Sequence, residues 1–270
     1  MKNFSDLTDI NTKEKLLNGK KWKQFKNVFP IYSAVNFDTF INENGTTIHQ
    51  DKNLQVINYA RAKLISLEEA SIQLNYHEGA VDIFFVQQLE RDIEYYKKSN
   101  VMYEFSDMIK LFVEEQKHLA LDAIFLDEAQ DLSPHQWKCF DYIKSKCQRA
   151  YMAGDDDQTI YGFQGADPNC FMQQEGERDD QEISRRVPRT VHNIAVKILD
   201  RLGIRIKKNR VPRDAEGEVH HNMILEELNF SQGHWMLLAR TNKLLNNIAK
   251  KFLAFLGTLF ITSKFLINVL

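Results

Sequence analysis

The sequence predicts an α/β protein, on three observations. Two short apolar runs, AIFL (123–126) and RAYMAGD (149–155), flank a helical segment, the strand–helix–strand order of a right-handed parallel crossover. The first run leads into LDEAQD (126–131) and the second into GDDDQTIYGFQGA (154–166), so both strands deliver acids at their ends. The stretch before them carries helical periodicity and no chemical motif.

Composition sets outer bounds. At 270 residues the chain has room for one large domain or two small ones. A hydrophobic content of 43% and a charged content of 27% are those of a soluble globular protein. The net charge of −2 gives no global sign of nucleic-acid binding, although a local basic stripe suffices for that. Cys139, Cys147 and Cys170 have neither metal-ligand spacing nor the density of a disulfide framework, which points to a reducing, cytoplasmic setting. The opening segment, MKNFSDLTDINTKEK, has no apolar leader. Residues 252–270 are apolar but interrupted by Gly257, three hydroxyl residues, Lys264 and Asn268, so no membrane span is expected. They read as the end of a helix around 242–256 stopped by Gly257, followed by a buried strand, TLFIT.

In chain order, residues 1–75 read as short helices and loops, with a turn at Asn44-Gly45. From Ala80 to Asn100 the period is helical, with Val81, Phe84, Phe85, Leu89, Ile93 and Tyr96 on one face. EFSDMIKLFVEEQ (104–116) forms another helix, with Ser106 as its expected N-cap. SPHQWKCFDYIKSK (133–146) opens with Ser133 as N-cap and Pro134 at the first helical position. QQEGERDDQE (173–182) is an acidic linker, and a domain boundary is expected near residue 180. EIS (182–184), EVHHNMI (218–224) and WMLLAR (235–240) are further candidate strands, and a helix runs from Pro188 to Leu202, ended by Gly203.

The chemistry lies at the strand ends. Asp127 is placed to hold Mg²⁺, and Glu128 beside it is suited to orient and deprotonate an attacking water. Gln158 is an uncharged donor and acceptor, fit to read a γ-phosphate or its water. Tyr161 and Phe163, flanked by Gly162 and Gly165, suit base stacking in a single-strand channel. An isolated Asp-Glu pair is more often two solvated loop acids, and either ring alone could be core; the two motifs together favour a site. Residues 185–213 hold ten Lys or Arg against one acid, Asp200, which is either a solvated face or an attractor of phosphate backbone. His49, His77, His118 and the His220-His221 pair form no ligand constellation.

On these residues the chain resembles the UvrD/Rep group of superfamily 1 DNA helicases. LDEAQD resembles motif II and GDDDQTIYGFQGA motif III; SRRVPRTVHNIA (184–195) looks like motif IV, and LLARTN (237–242) is similar to the strand-end motif that follows. YKKSNVMYEFSDMI (96–109) resembles the exit from the inserted 1B subdomain. The resemblance implies incomplete RecA-like P-loop NTPase motor domains with a mostly helical 1B insertion. It places the 1B-like insertion at 1–105, the later half of motor domain 1A at 106–180 and the beginning of motor domain 2A at 181–270. It implies ATP and Mg²⁺ as cofactors, and single-stranded DNA or DNA with a single-stranded tail as partner, with 3′→5′ polarity. By the same resemblance, Arg186 reaches the γ-phosphate alongside Gln158, and Gln164, Arg240, Thr241 and Asn242 join Tyr161 and Phe163 beside DNA.

Three departures from the family pattern matter. Arg185 stands where an aromatic is usual, and Gln164 where motif III usually has arginine. No G-x-x-x-x-G-K-[ST] occurs: the one Gly-Lys pair, Gly19-Lys20, has Glu14 in place of the first glycine and Lys21 in place of the hydroxyl. The expectation is therefore a helicase segment with little ATPase activity of its own. Two alternatives stand beside it: a non-catalytic single-stranded-DNA-binding or protein-binding relative, and a split helicase whose P-loop comes from another chain. A membrane anchor formed by the C-terminal run is a third reading.

Overall fold

In the computed structural model, residues 15–41, 47–49, 51–76, 79–116, 121–203 and 205–224, with residues 236 and 238, are described. The chain divides into two units, the first ending at Gln174 and the second beginning at Glu175. The acidic stretch predicted as a linker spans this break, which falls a few residues before the expected position. The described residues before and after position 105, as far as Gln174, belong to one unit.

The first unit opens with helix α1 (Gly19–Val28), which turns Trp22 and Phe25 inward. Gly19-Lys20 thus begins an ordinary helix. Strands β1 (Thr39–Ile41) and β2 (Thr47–His49) pair antiparallel with Ile41 opposite Thr47. The Asn44-Gly45 turn expected between them lies outside the described residues. Helices α2 (Lys52–Lys63) and α3 (Leu67–Gln73) follow, capped by the Asp51 and Ser66 side chains.

The long helix α4 (Ile83–Asn100) starts at Asp82, whose carboxylate accepts the N–H groups of Phe84 and Phe85. Its buried face is Val86, Leu89, Ile93 and Tyr96. Phe84, expected on that face, is 78% exposed. The 3.6-residue period explains the correction, because Phe84 falls on the same side as exposed Tyr95 while Val86 takes the inward slot. An aromatic cluster fills this core: Trp22 stacks on Phe37 at 4.3 Å, and Phe25 meets Tyr96 edge-on at 5.3 Å.

Helix α5 (Phe105–Glu114) begins two residues earlier than a Ser106 cap allows. Its N-cap is Glu104, whose N–H donates to Asp107 Oδ2 at 2.7 Å. The Glu104 carboxylate is also gripped by Arg61 at 2.7 Å and Lys97 at 3.0 Å. These two cations, with Glu90, Glu94 and Asp107, tie α2, α4 and α5 together. Burial opposes ionisation of Glu104, but Arg61 and Lys97 outweigh it and hold the carboxyl down at about 2.

Strand β3 (Leu121–Leu126), helix α6 (Pro134–Lys144) and strand β4 (Cys147–Met152) form the predicted parallel crossover. Ser133 caps α6 in a reciprocal box with Gln136, and Pro134 occupies the first helical position, as the sequence indicates. Alternation in the strands sorts the two faces. Ile124, Leu126, Ala150 and Met152 pack on Trp137 and Phe140 of α6. The opposite face shows Phe125, 76% exposed, stacked on Tyr151 at 4.8 Å. The described sheet here has two strands with one helical layer, a portion of the doubly covered parallel sheet typical of this fold class.

The second unit contains helix α8 (Arg189–Leu199), after a short helix α7 (Pro168–Met172) that closes the first. Residues 182–184 make only a parallel bridge, Ile183 to Val211, and 218–224 are irregular, so neither forms the strand expected. Segment 211–217 instead follows the 182–189 segment through main-chain bonds such as Arg189 N–H to Ala215 O at 2.9 Å. Those bonds satisfy backbone groups without a ladder. The strand expected at 235–240 falls largely outside the described residues, and 242–270 wholly outside. Among the described residues no helix is long and apolar enough to cross a membrane.

Candidate nucleotide and nucleic-acid site

The parallel ladder continues past the ends of its strands. Ala153 N–H donates to Leu126 O at 2.7 Å, and Ala129 N–H to Ala153 O at 2.9 Å. The two motif loops therefore leave the sheet side by side, at its carboxyl end, where open α/β sheets place their ligands.

Asp127 is exposed at the end of β3, with one oxygen accepting the Glu128 N–H at 3.0 Å. Glu128 follows with φ 52° and ψ 42°, the left-handed region. A non-glycine residue there carries a cost of about 1 kcal/mol and needs support from its surroundings. The reversal at Glu128 starts the short turn 129–131.

The support comes from Gln130, which is 1% exposed. Its Nε2 donates to Glu128 Oε2 at 2.8 Å, and its Oε1 accepts the Asp155 N–H at 2.9 Å. Asp155 in turn accepts from Gln158 Nε2 at 2.6 Å. Glu128, Gln130, Asp155 and Gln158 thus form one continuous polar chain between the two motifs. Gly154 belongs to this arrangement by space: a Cβ there would lie 2.8 Å from Gln130 Oε1 and 3.2 Å from the Ala129 nitrogen. Its φ is not positive, so close approach, rather than an unusual turn, is what excludes larger residues.

Asp131 sits behind Glu128, and burial pushes its carboxyl up, assisted by the Glu128 charge and opposed by the Ile160 backbone. Beyond Gln158 the chain makes the turn 162–164 and presents Tyr161 and Phe163, centroids 6.4 Å apart and inclined at 42°. Phe163 is 60% exposed, while Tyr161 is half-buried. Gln164 is half-buried in the same turn.

Asp127, Glu128, Gln158, Tyr161, Phe163 and Gln164 therefore share one unit. Arg186 belongs to the second, exposed, with its N–H directed to Ser184 Oγ at 3.4 Å. Arg240, Thr241 and Asn242 lie outside the described residues. Gln130 received no role from its sequence position, although the polar residue two places after the Asp-Glu pair was there to be noticed.

The donor set suits a hard cation. Asp127 offers exposed carboxylate oxygen, and among the described residues no group of three or more acids, histidines or cysteines forms a cage. A single exposed carboxylate is the kind of ligand that Mg²⁺ accepts when phosphate and water complete its shell. The three cysteines are free; burial pushes the Cys139 and Cys170 thiols up, away from reactivity.

A parallel strand pair with an Asp-Glu pair after its first strand and a Gly-Asp-to-glutamine turn after its second, both at the carboxyl end, fits the class: an incomplete RecA-like α/β motor fold. Within that class, the family model for the UvrD/REP helicase N-terminal domain matches residues 5–179, and the chain belongs to this family. The match ends before Arg186. Among curated relatives, the chain is 36% identical over 96 residues to the putative ATP-dependent DNA helicase YjcD of Bacillus subtilis, covering 32% of this chain and 13% of that protein. It is 30% identical over 119 residues to the exonuclease/helicase subunit RexA of Lactococcus lactis, covering 41% and 9%. It is 29% identical over 137 residues to the RecB subunit of the RecBCD enzyme of Buchnera aphidicola, covering 45% and 12%. The aligned segments are thus a small share of each relative.

Proposed function

We propose that this chain is part of a UvrD/Rep-like, ATP-dependent DNA helicase that couples ATP hydrolysis to 3′→5′ movement on single-stranded DNA. The observation that carries the reading is the polar chain from Glu128 through Gln130 and Asp155 to Gln158. It links the Glu128 carboxylate to the Gln158 amide through two adjacent loops, the two groups to which this reading gives the hydrolytic and γ-phosphate-sensing roles. In this reading residues 1–105 are the 1B-like insertion, 106–180 the later half of motor domain 1A, and 181–270 the beginning of 2A.

ATP with Mg²⁺ supplies the phosphoryl group to be transferred and neutralises its charge. Asp127 holds the cation. Glu128 orients the attacking water and accepts its proton. Gln158 senses the γ-phosphate, and Arg186 takes the γ-phosphate role that the family resemblance gives it. Phe163 and Tyr161 stack on bases, with Gln164, Arg240, Thr241 and Asn242 beside the strand. The setting is cytoplasmic. The 270-residue sequence holds no G-x-x-x-x-G-K-[ST], so hydrolysis in this reading requires a phosphate-cradling loop added in trans.

The test is ATPase and binding assayed together on the 270-residue protein. The expected result is negligible hydrolysis alone, binding of a single-stranded oligonucleotide, and hydrolysis restored by a P-loop-bearing segment and abolished by Glu128→Gln. Robust DNA-stimulated hydrolysis by the isolated chain would overturn the P-loop assignment. Absence of single-strand binding would overturn the helicase reading.

A further inference from the structure

The aromatic turn is seated on helix α2. Gly165, at φ +95°, lies so close that a Cβ on it would fall 2.7 Å from the Ala62 Cβ. Glycine is required there twice over, by the left-handed backbone and by the contact. Two residues on, Asp167 Oδ2 meets Lys63 Nζ at 2.7 Å. Both side chains are largely buried, 16% and 21% exposed. Burial disfavours the Asp167 carboxylate, yet Lys63 and the Asn169 amides hold it below its ordinary value.

Asp167 is also tied to the residue that follows the first motif, since its N–H donates to Leu132 O at 3.1 Å. The stretch between Tyr161 and Asp167 is closed by Ala166 N–H to Tyr161 O at 3.2 Å. Phe163 therefore stands on a short loop anchored at its exit by an ion pair to a different helix. Arg61, one residue before Ala62, belongs to the charge cluster joining α2, α4 and α5. The last turn of α2 is thus fixed on one side by that cluster and bears the aromatic loop on the other.

We propose that the end of α2 sets the presentation of Phe163 to single-stranded nucleic acid, with Lys63 and Asp167 as positioning residues that do not touch it. The inference rests on the stacking role proposed above for Phe163. It makes the helical layer, rather than the motif alone, a determinant of single-strand affinity.

The experiment is fluorescence anisotropy of a labelled oligo-dT on the full 270-residue chain, across a salt series, with melting curves for every variant. Phe163→Ala weakens binding by about tenfold, the loss of one stacked base. Lys63→Met and Asp167→Asn each weaken it by about fivefold, and the double variant is no worse than either, as coupled partners require. Asp167→Asn keeps the N-cap of α7, so its fold is retained. Lys63→Arg retains near-wild-type binding. The slope of log affinity against log salt is unchanged in Lys63→Met, whereas a lysine contacting phosphate would lower it.

Unchanged affinity in Lys63→Met and Asp167→Asn, when Phe163→Ala is impaired, would overturn the positioning role alone. So would losses that multiply in the double variant, or a reduced salt slope. Wild-type binding by Phe163→Ala would overturn the stacking reading, and this inference with it. If Lys63→Met melts early, Lys63→Arg and Asp167→Asn carry the comparison at equal folded fraction.

Discussion

The buried amide of Gln130 accepts the backbone N–H of Asp155 at 2.9 Å, joining the loop after β3 to the loop after β4. Its other end donates to Glu128. One side chain thereby positions the Glu128 carboxylate of one motif against the backbone of the other.

Gln130→Ala should remove both bonds and leave the Asp155 N–H without its partner. The expected loss is about 2 kcal/mol of stability, from two hydrogen bonds of about 1 kcal/mol each. Chemical denaturation measures it; a loss below about 0.5 kcal/mol, the usual range of an exposed surface change, would show that the bonds do not persist in solution.

Gly154→Ala should act on the same pair from the opposite side. The added methyl meets Gln130 Oε1 at 2.8 Å and the Ala129 nitrogen at 3.2 Å, and the latter is backbone that cannot swing away. Overpacking of this kind costs about 1–3 kcal/mol. In a thermal melt, Gly154→Ala combined with Gln130→Ala should cost less than the sum of the two singles, because the second change removes part of the clash.

Arg61→Met should be the most damaging change in the helical layer. It leaves Glu104 and Glu90 without their guanidinium partner in a mostly buried setting. Stripping one side of such a cluster costs about 3–5 kcal/mol. Far-ultraviolet circular dichroism with urea titration reads the effect, and a change under about 1 kcal/mol would place the cluster among ordinary surface pairs.

Acid should unfold the first unit through the same group. The Glu104 carboxyl is held at about 2, against an ordinary value of 4.5. A depressed folded value means stability that is fully present above 4.5 and is lost as pH falls from there toward about 2. The contribution is on the order of 2–3 kcal/mol. Asp167, also held low, loses its share in the same direction. Asp131, pushed up, acts oppositely and offsets a part. Urea midpoints between pH 6 and pH 2.5 should fall with acidity, and Arg61→Met should flatten the curve.

Phe125→Ser with Tyr151→Thr should be nearly neutral for the isolated chain. Phe125 is 76% exposed and Tyr151 47%, so little burial is lost, and the cost should stay under about 1 kcal/mol. Removing an exposed aromatic pair should also reduce self-association, read by size-exclusion chromatography over a concentration series.

Much of the motor portion was legible because its signals are local. Ser133-Pro134 marked the start of α6, and the apolar runs before Asp127 and Gly154 marked β3 and β4, since caps and two-residue alternation are written in consecutive residues. The helix starting at Arg189 was legible for the same reason. The helical layer was harder. Ser106 looked like a cap because serine generally serves as one, but Glu104 holds that position under the pull of Arg61 and Lys97, which lie 43 and 7 residues away. The strands read at 182–184 and 218–224 failed because strand identity needs a partner: the first found only an isolated bridge to Val211, and the second is irregular backbone.

By itself the sequence determined the class of chemistry: acids at the ends of two parallel strands, a glutamine after the second, and aromatics on a glycine-rich turn. Residue type and spacing suffice for that, because the strand direction and the loop composition together decide what is delivered. Only the tertiary structure decided which groups hold these in place. Gln130 against Asp155 and Gly154, Lys63 on Asp167, and Ala62 under Gly165 are contacts between segments distant in the chain. Such contacts depend on how α2, α6 and the strand pair pack, and no local pattern encodes that geometry.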